Sequence, residues 1–352
     1  PYLTRVHLSS GGSEANESAV KLAIQYQASR GKPEKNIILT RTLSYHGTTL
    51  NMSGISGHTA RKRGLESYVP APVTVETPYP LRCPLGSFHP EAKDYYLNNL
   101  KEVIDQCGAN HIAALLMEPI NGSSGGAIYP PEGYWEEAQK ILLDNDILLI
   151  ADEVVTGFGR LGSMFGSDHY KMIPEIITIA KGLTSAYAPL SGSIVSEKIW
   201  KVLEQGTDEN GPIGHGWTYS AHPICAAAGV ANLKYLDDMN LINNVKEVGQ
   251  YLLDELKNAF NNHPLVGEVR GEGMLAALEF LENKEELKFF DPSKKIGIQV
   301  ATNLLKEGVI GRAMPHGDIL GLSPPLCLNK SEVDILSLIH ISEPTRPRLI
   351  SY

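Results

Sequence analysis

Leu148-Leu149-Ile150-Ala151-Asp152-Glu153-Val154-Val155-Thr156-Gly157-Phe158-Gly159-Arg160, followed by Ile176-Ile177-Thr178-Ile179-Ala180-Lys181-Gly182, decides the reading of this chain. Two short apolar runs each end in one ionisable residue, Asp152 in the first and Lys181 in the second. Runs of this kind read as strands buried on both faces, and neighbouring parallel strands deliver the side chains at their carboxyl ends to the mouth of an α/β sheet. An acid and an amine then share one cleft. Such an acid holds a positively charged ring nitrogen and such a lysine forms a Schiff base, the two groups that pyridoxal 5′-phosphate (PLP) chemistry needs. Taken singly, each residue reads as a strand-end charge facing water. The rest of the chain decides between these readings.

At 352 residues the chain can bury a large core, and one large domain with a smaller one is the natural expectation. Charged residues at 20% and apolar ones at 42% mark a globular protein. A net charge of -9 argues against nucleic acid or an anionic membrane as the main partner. Cys83, Cys107, Cys225 and Cys327 lie far apart without metal-ligand spacing, so no metal site or disulfide framework is expected, and they read as reduced thiols of a cytoplasmic protein. No apolar stretch reaches membrane-spanning length. The chain opens at Pro1 without an initiating Met and is taken as a fragment. At the other end, Leu336 to Arg346 looks like a translated sequencing adapter, so residues 336–352 are set aside as an artefactual tail.

Along the chain, Ser9 to Asn16 is a Gly-rich turn running into an amphipathic helix with Ala19, Val20, Ala23 and Ile24 on its buried stripe. A helix start of this kind offers backbone N–H groups to an anion, although Gly-Ser turns commonly do no more than cap. Asn36–Thr40 reads as a strand leading to Tyr45 and His46, which either lie over a flat ring or pack at the strand end. Val69 to Pro90 reads as a long surface loop. Ala92–Cys107 and Gly133–Asp144 read as helices, Ile112–Glu118 as a strand stopped by Pro119, and Ser191–Val195 as another strand. Strand and helix alternate, so the fold class is α/β, with a mostly parallel central sheet. A long helical run from Pro223 to about Phe260 marks the change of texture. The large domain is placed at 1–225 and a smaller C-terminal α+β domain at 226–335, the latter with a two-stranded antiparallel unit around Glu268–Glu279.

Taken together, Gly12-Ser13, Tyr45-His46, Glu118, Asp152-Glu153-Val154, Lys181 and Trp217-Thr218 resemble the class III (ω-type) aminotransferases, which have the PLP-dependent fold type I. The resemblance runs from about His7 to Ile335, and the spacing Asp-Glu-Val…Gly-Phe-Gly-Arg…Ala-Lys-Gly is its most specific part. It implies that Lys181 binds PLP and moves the substrate proton, and that Asp152 meets the pyridine nitrogen. It further implies Val154 and Tyr45 on the two ring faces with His46 beside the ring, Gly12 and Ser13 at the phosphate, and Glu118 at the cofactor. Thr218 would reach the phosphate of a neighbouring subunit, giving a homodimer with shared active sites, with pairing into tetramers left open. Trp217 and Arg312 would contact substrate, with Arg312 gripping a carboxylate and pairing with Glu118 when none is bound. Without the resemblance, Thr218 is an ordinary turn hydroxyl and Arg312 a surface arginine.

The chain departs from the family at Gly11, where many members carry Ser, and it lacks the family's N-terminal segment and C-terminal helix. The resemblance implies transfer of an amino group from an amine or ω-amino acid to a keto acid, with pyruvate as the expected acceptor. Rivals on the same fold are an aminomutase and a decarboxylating transaminase. A catalytically silent dimeric scaffold would have lost Lys181 or Asp152, and both are present. A nicotinamide dehydrogenase would carry GxGxxG after an early strand, which this chain does not.

Overall fold

The computed structural model describes residues 2–341, so 342–352 of the tail set aside at 336–352 lie outside the described residues. The chain divides into two compact units. The first comprises residues up to Ile120, Tyr129–Phe158 and Phe165–Asp238; the second comprises Asn121–Ile128, Gly159–Met164 and the chain from Met239. The division therefore falls after Asp238 and not at 225. The helix Pro223–Asp238 belongs with the first unit because Asn232 Nδ2 donates to the carbonyls of Gly182 (2.8 Å) and Leu183 (3.1 Å).

In the first unit the strands are β1 (Leu3–Ser9), β2 (Ile37–Arg41), β3 (Val73–Val75), β4 (Ile112–Met117), β5 (Leu148–Asp152), β6 (Ile176–Ile179) and β7 (Ser191–Ser196). They form one sheet in the order β1-β7-β6-β5-β4-β2-β3. The pairs from β3 to β6 are parallel, whereas β7 pairs antiparallel with both β6 and β1. The mostly parallel sheet expected from the alternation is present. Its strand β3 lies inside the stretch read as a loop, and β1 was not anticipated. β4 and β5 are buried at every position, as continuous apolar runs in the middle of a parallel sheet must be.

The helices of this unit are α1 (Gly12–Ser29), α2 (Leu50–Ile55), α3 (Ala92–Cys107), α4 (Tyr134–Asp144), α5 (Gly166–His169), α6 (Glu197–Asn210) and α7 (Pro223–Asp238). Helix α1 buries Ala19, Val20, Ala23 and Tyr26 against Ala114, Leu116, Ile150, Ile176 and Val195 of the sheet. Each large side chain so buried contributes about 1.5–3 kcal/mol. That packing fixes the start of α1 over the carboxyl ends of β5 and β6, the place where the sequence put its acid and amine.

The second unit holds α8 (Leu241–Phe260), β8 (Val266–Glu272), β9 (Leu275–Phe280), α9 (Ile296–Lys306), β10 (Arg312–Ala313), β11 (Ile319–Leu322) and α10 (Lys330–Ile341). Its sheet has four antiparallel strands in the order β10-β11-β9-β8, where the sequence suggested two. The single helical run expected from Pro223 to Phe260 is two helices, because Asn240 takes a left-handed conformation (φ 49°) between α7 and α8. Val245, Leu252 and Leu256 of α8 pack with Val269, Leu278 and Leu320 as this unit's core. Arg270 fastens the segment Asn121–Ile128 to the unit: its Nε and Nη2 donate to the carbonyls of Gly126 and Gly125, both at 2.7 Å, while Nη1 meets Glu268 (2.8 Å) and Glu279 (2.7 Å).

Candidate active site

The site of the first unit is built from strand ends. β5 and β6 run parallel with Asp152 opposite Thr178, so the acid closes β5 at the level where β6 turns toward Lys181. Lys181 is exposed and has a left-handed backbone (φ 32°), which costs a lysine energy and turns the chain sharply out of the sheet. Gly182 follows because a Cβ there would stand 3.1 Å from the carbonyl oxygen of Gly157. The Gly-Phe-Gly and Ala-Lys-Gly stretches are thus matched halves of one close backbone contact.

Asp152 is buried, 3% exposed, within a set of donors. Its Oδ2 accepts from Asn16 Nδ2 (2.9 Å) and lies 2.8 Å from His46 Nδ1. Its Oδ1 accepts from the Val154 amide at 3.1 Å. Burial alone would raise this carboxyl, but the hydrogen bond and charge of His46, the charge of Lys181 and the Val154 amide together hold it below the ordinary carboxylate range. Against an ionised Asp152, Nδ1 of His46 carries the proton. His46 Nε2 lies 3.1 Å from Thr40 Oγ1, itself 2.7 Å from Ser44 Oγ. His46 therefore stands behind the acid. Its placement is fixed by the two hydrogen bonds that a buried imidazole needs.

Gly12 begins α1, whose preceding residue Gly11 gives no side-chain cap. A Cβ on Gly12 would lie 3.1 Å from Val154 Cγ1, so the backbone at the helix start comes close to the side chain that follows Asp152. Ser13 Oγ accepts from the Thr48 amide at 3.0 Å. Tyr45 is half-buried, with the Arg61 guanidinium 4.1 Å from its ring centroid. An uncapped helix N-terminus beside small residues suits a phosphate, and a buried ionised acid suits a protonated ring nitrogen. The chemistry of these residues therefore fits PLP, whose phosphate, ring nitrogen and aldehyde would suit a helix start, a buried acid and an exposed amine.

Glu118 closes β4 and is 3% exposed. Its Oε2 pairs with Arg41 Nη2 at 2.6 Å, a partner at the end of β2 that the sequence reading missed. Trp217 Nε1 donates to Ser18 Oγ of α1 at 2.9 Å, and Thr218 beside it is exposed. Arg312 is exposed and starts β10 in the second unit, opposite Gly321. Lys181, Asp152, His46, Gly12 and Val154 are thus brought together in the first unit. Asn16 and Thr178 belong to the same group, although only the position of Asn16 one helical turn after Gly12 signalled it. Among the described residues no group of three His, Cys, Asp or Glu side chains is placed to hold a metal ion, and no helix is long and apolar enough to cross a membrane.

The diaminobutyrate–2-oxoglutarate transaminase of Halomonas elongata is 45% identical over 337 residues, covering 95% of this chain and 72% of the relative. The putrescine–pyruvate aminotransferase of Pseudomonas aeruginosa is 37% identical, covering 95% of this chain and 72% of the relative. Among solved structures, a transaminase obtained by directed evolution from ancestral reconstruction superposes with a TM-score of 0.93 at 47% identity, covering 97% of this chain and 74% of that one. A PLP-bound amine transaminase from an uncultivated Pseudomonas species gives 0.91 at 35% identity, covering 97% of this chain and 76% of that one. The first unit's sheet is accordingly that of the PLP-dependent transaminases. The family model for class III aminotransferases matches residues 1–340, and with relatives this similar the chain belongs to the class III aminotransferases, enzymes that depend on PLP.

Proposed function

We propose that this enzyme moves an amino group from an amine or ω-amino acid to a keto acid in two half-reactions, with pyruvate as the acceptor. The observation that carries the reading is the buried Asp152, held ionised by His46 and the Val154 amide at the strand end next to that of Lys181. When bound, PLP supplies an aldehyde carbon for the amine and a cationic ring that accepts the electron pair of the broken Cα–H bond. Asp152 keeps the ring nitrogen protonated. Lys181 takes the proton from the substrate's α-carbon and holds it for return, which needs a free amine fixed at hydrogen-bond range. Val154 and Tyr45 bound the ring's two faces, Gly12 and Ser13 take the phosphate, and Glu118 borders the cofactor.

Arg312 grips the keto acid's carboxylate with two hydrogen bonds, and Trp217 borders the amine. Thr218, exposed in this chain, reaches the phosphate of a second copy, so the active enzyme is a homodimer with shared sites. The four cysteines are free thiols, in keeping with a cytoplasmic location. The relatives named for diaminobutyrate, γ-aminobutyrate and putrescine supply the donors to try. The test is turnover of these three amines with pyruvate or 2-oxoglutarate. Pyruvate-dependent formation of alanine supports the reading; product formed without any keto acid refutes it. Mixing inactive Lys181→Ala and Thr218→Ala proteins restores activity only if sites are shared.

A further inference from the structure

Asn16 is buried in α1, 1% exposed, and each polar atom of its amide is engaged. Nδ2 donates to Asp152 Oδ2 (2.9 Å) and to the carbonyl of His46 (2.8 Å), and Oδ1 accepts from Thr178 Oγ1 (2.7 Å). The orientation of the amide is dictated by chemistry, since the flipped form would set its oxygen against two acceptors. Thr178 has one hydroxyl proton and spends it on Asn16, which leaves its 3.4 Å approach to Asp152 Oδ1 a weak contact. Oδ2 of Asp152 thus has two good donors and Oδ1 has one, the Val154 amide. Oδ1 is the oxygen left with capacity for a further donor.

Asn16 also lies one helical turn beyond Gly12 in the same α-helix. One rigid turn therefore carries both the phosphate-facing backbone and the side chain that holds the ring acid. We infer that Asn16 is a positioning residue: it locks Oδ2 of Asp152, presents Oδ1 to the cofactor's ring nitrogen, and sets the spacing between that acid and the phosphate end of the site. The inference rests on the assignment of Asp152 to the ring nitrogen. The charged groups that act on Asp152 are His46 and Lys181, and Glu118 on the neighbouring strand is paired with Arg41, so a change at Asn16 alters the acid's surroundings without touching any of these charges.

The test is a double-mutant cycle on the full chain, reading PLP affinity and the pH dependence of the bound cofactor's absorption. Asn16→Leu keeps the branching at Cγ and removes the donor and the acceptor. It should weaken PLP binding about tenfold, the worth of one charge-assisted hydrogen bond, and move the pH midpoint of the absorption. In an Asp152→Asn background the same substitution should add less than about twofold, because the group it acts through has gone. An equal loss in both backgrounds, with the midpoint unmoved, overturns the inference and leaves Asn16 a packing residue. If Asp152→Asn alone changes neither affinity nor absorption, the assignment of Asp152 falls and the inference falls with it. Should Asn16→Leu not fold, Asn16→Asp decides the same question: a second carboxylate beside Oδ2 must shift the pH midpoint upward, and an unchanged midpoint refutes the role.

Discussion

Replacing Arg41 by methionine should be among the most damaging single changes in the first unit, and the reason lies in one buried contact. The side chains of Arg41 and Glu118 are 2% and 4% exposed and meet at 2.6 Å. Glu118 Oε1 and Arg41 Nε have no hydrogen-bond partner within the structure, so that single contact carries most of the compensation for two desolvated charges. Removing one partner of such a pair costs about 3–5 kcal/mol, whereas replacing both by apolar side chains is often neutral or stabilising. With a urea dependence of about 2–3 kcal/mol per molar, Arg41→Met should lower the unfolding midpoint by about 1–2 M. The assay is specific to this unit, because Trp135, Trp200 and Trp217 all lie in it. Trp135 is also local: its Nε1 donates to the carbonyl of Pro119, the residue after Glu118, at 3.0 Å. Tryptophan fluorescence in urea thus reports the strand end where the pair sits. The double variant Arg41→Met/Glu118→Met should return to within about 1 kcal/mol of the parent. A loss below about 1 kcal/mol for Arg41→Met, the range of exposed pairs, refutes the argument.

Asp152 carries an acid-stability signature. Its carboxyl is held below the ordinary value, so its ionisation adds stability above the ordinary carboxylate range and that stability is lost as pH falls through its folded value. The parent should therefore lose more unfolding midpoint between about pH 5 and 3 than Asp152→Asn does, and parallel acid profiles would count against the donor set described. Gly12→Ala should weaken PLP binding several-fold, since its Cβ would stand 3.1 Å from Val154 Cγ1; in a Val154→Ala background the same substitution should cost less, and an equal loss refutes the contact. In the second unit, Arg270→Lys cannot reach two carbonyls and two carboxylates at once, and should expose Asn121–Ile128 to limited proteolysis at a cost of about 2–4 kcal/mol. Arg312→Ala should raise the Michaelis constant for the keto acid about tenfold or more and leave the amine half-reaction unchanged; an unaltered constant removes Arg312 from the substrate site.

What the sequence made legible follows from how locally each feature is encoded. Asp152 and Lys181 could be read because an apolar run ending in one charge is a local pattern, and the pairing of β5 with β6 needed only the usual adjacency of consecutive parallel strands. The partner of Glu118 could not be read. Arg41 lies 77 residues away, and the two meet only because β2 pairs with β4. The place of His46 was half legible: its type and position in a turn suggested the site, but its contact with Asp152, 106 residues away, depends on where that turn crosses the sheet. The break between α7 and α8 escaped because hydrophobic periodicity continues through Asn240, and a left-handed residue leaves no trace in that period. The strands β10 and β11, of two and four residues, are too short for alternation to declare them.

The row of strand ends also explains why the charges are distributed as they are. The sheet order β6-β5-β4-β2 sets Lys181, Asp152, Glu118 and Arg41 side by side in reverse chain order. Met117 pairs with Ala151, so Glu118 stands level with Asp152 on the neighbouring strand. Two carboxylates buried on adjacent strands each need a partner of their own to offset their desolvation. Here they do not share. Arg41 neutralises Glu118 from one side, and His46, the Val154 amide and Lys181 act on Asp152 from the other. With Glu118 paired to Arg41, the donors around Asp152 are left to that acid alone. Arg41 therefore bears on the site through Glu118, the residue proposed to border the cofactor: Arg41→Met should weaken PLP binding as well as stability, and Arg41→Met/Glu118→Met should recover stability without recovering PLP affinity. Recovery of both together would remove Glu118 from the cofactor and leave it only the anion that Arg41 must silence.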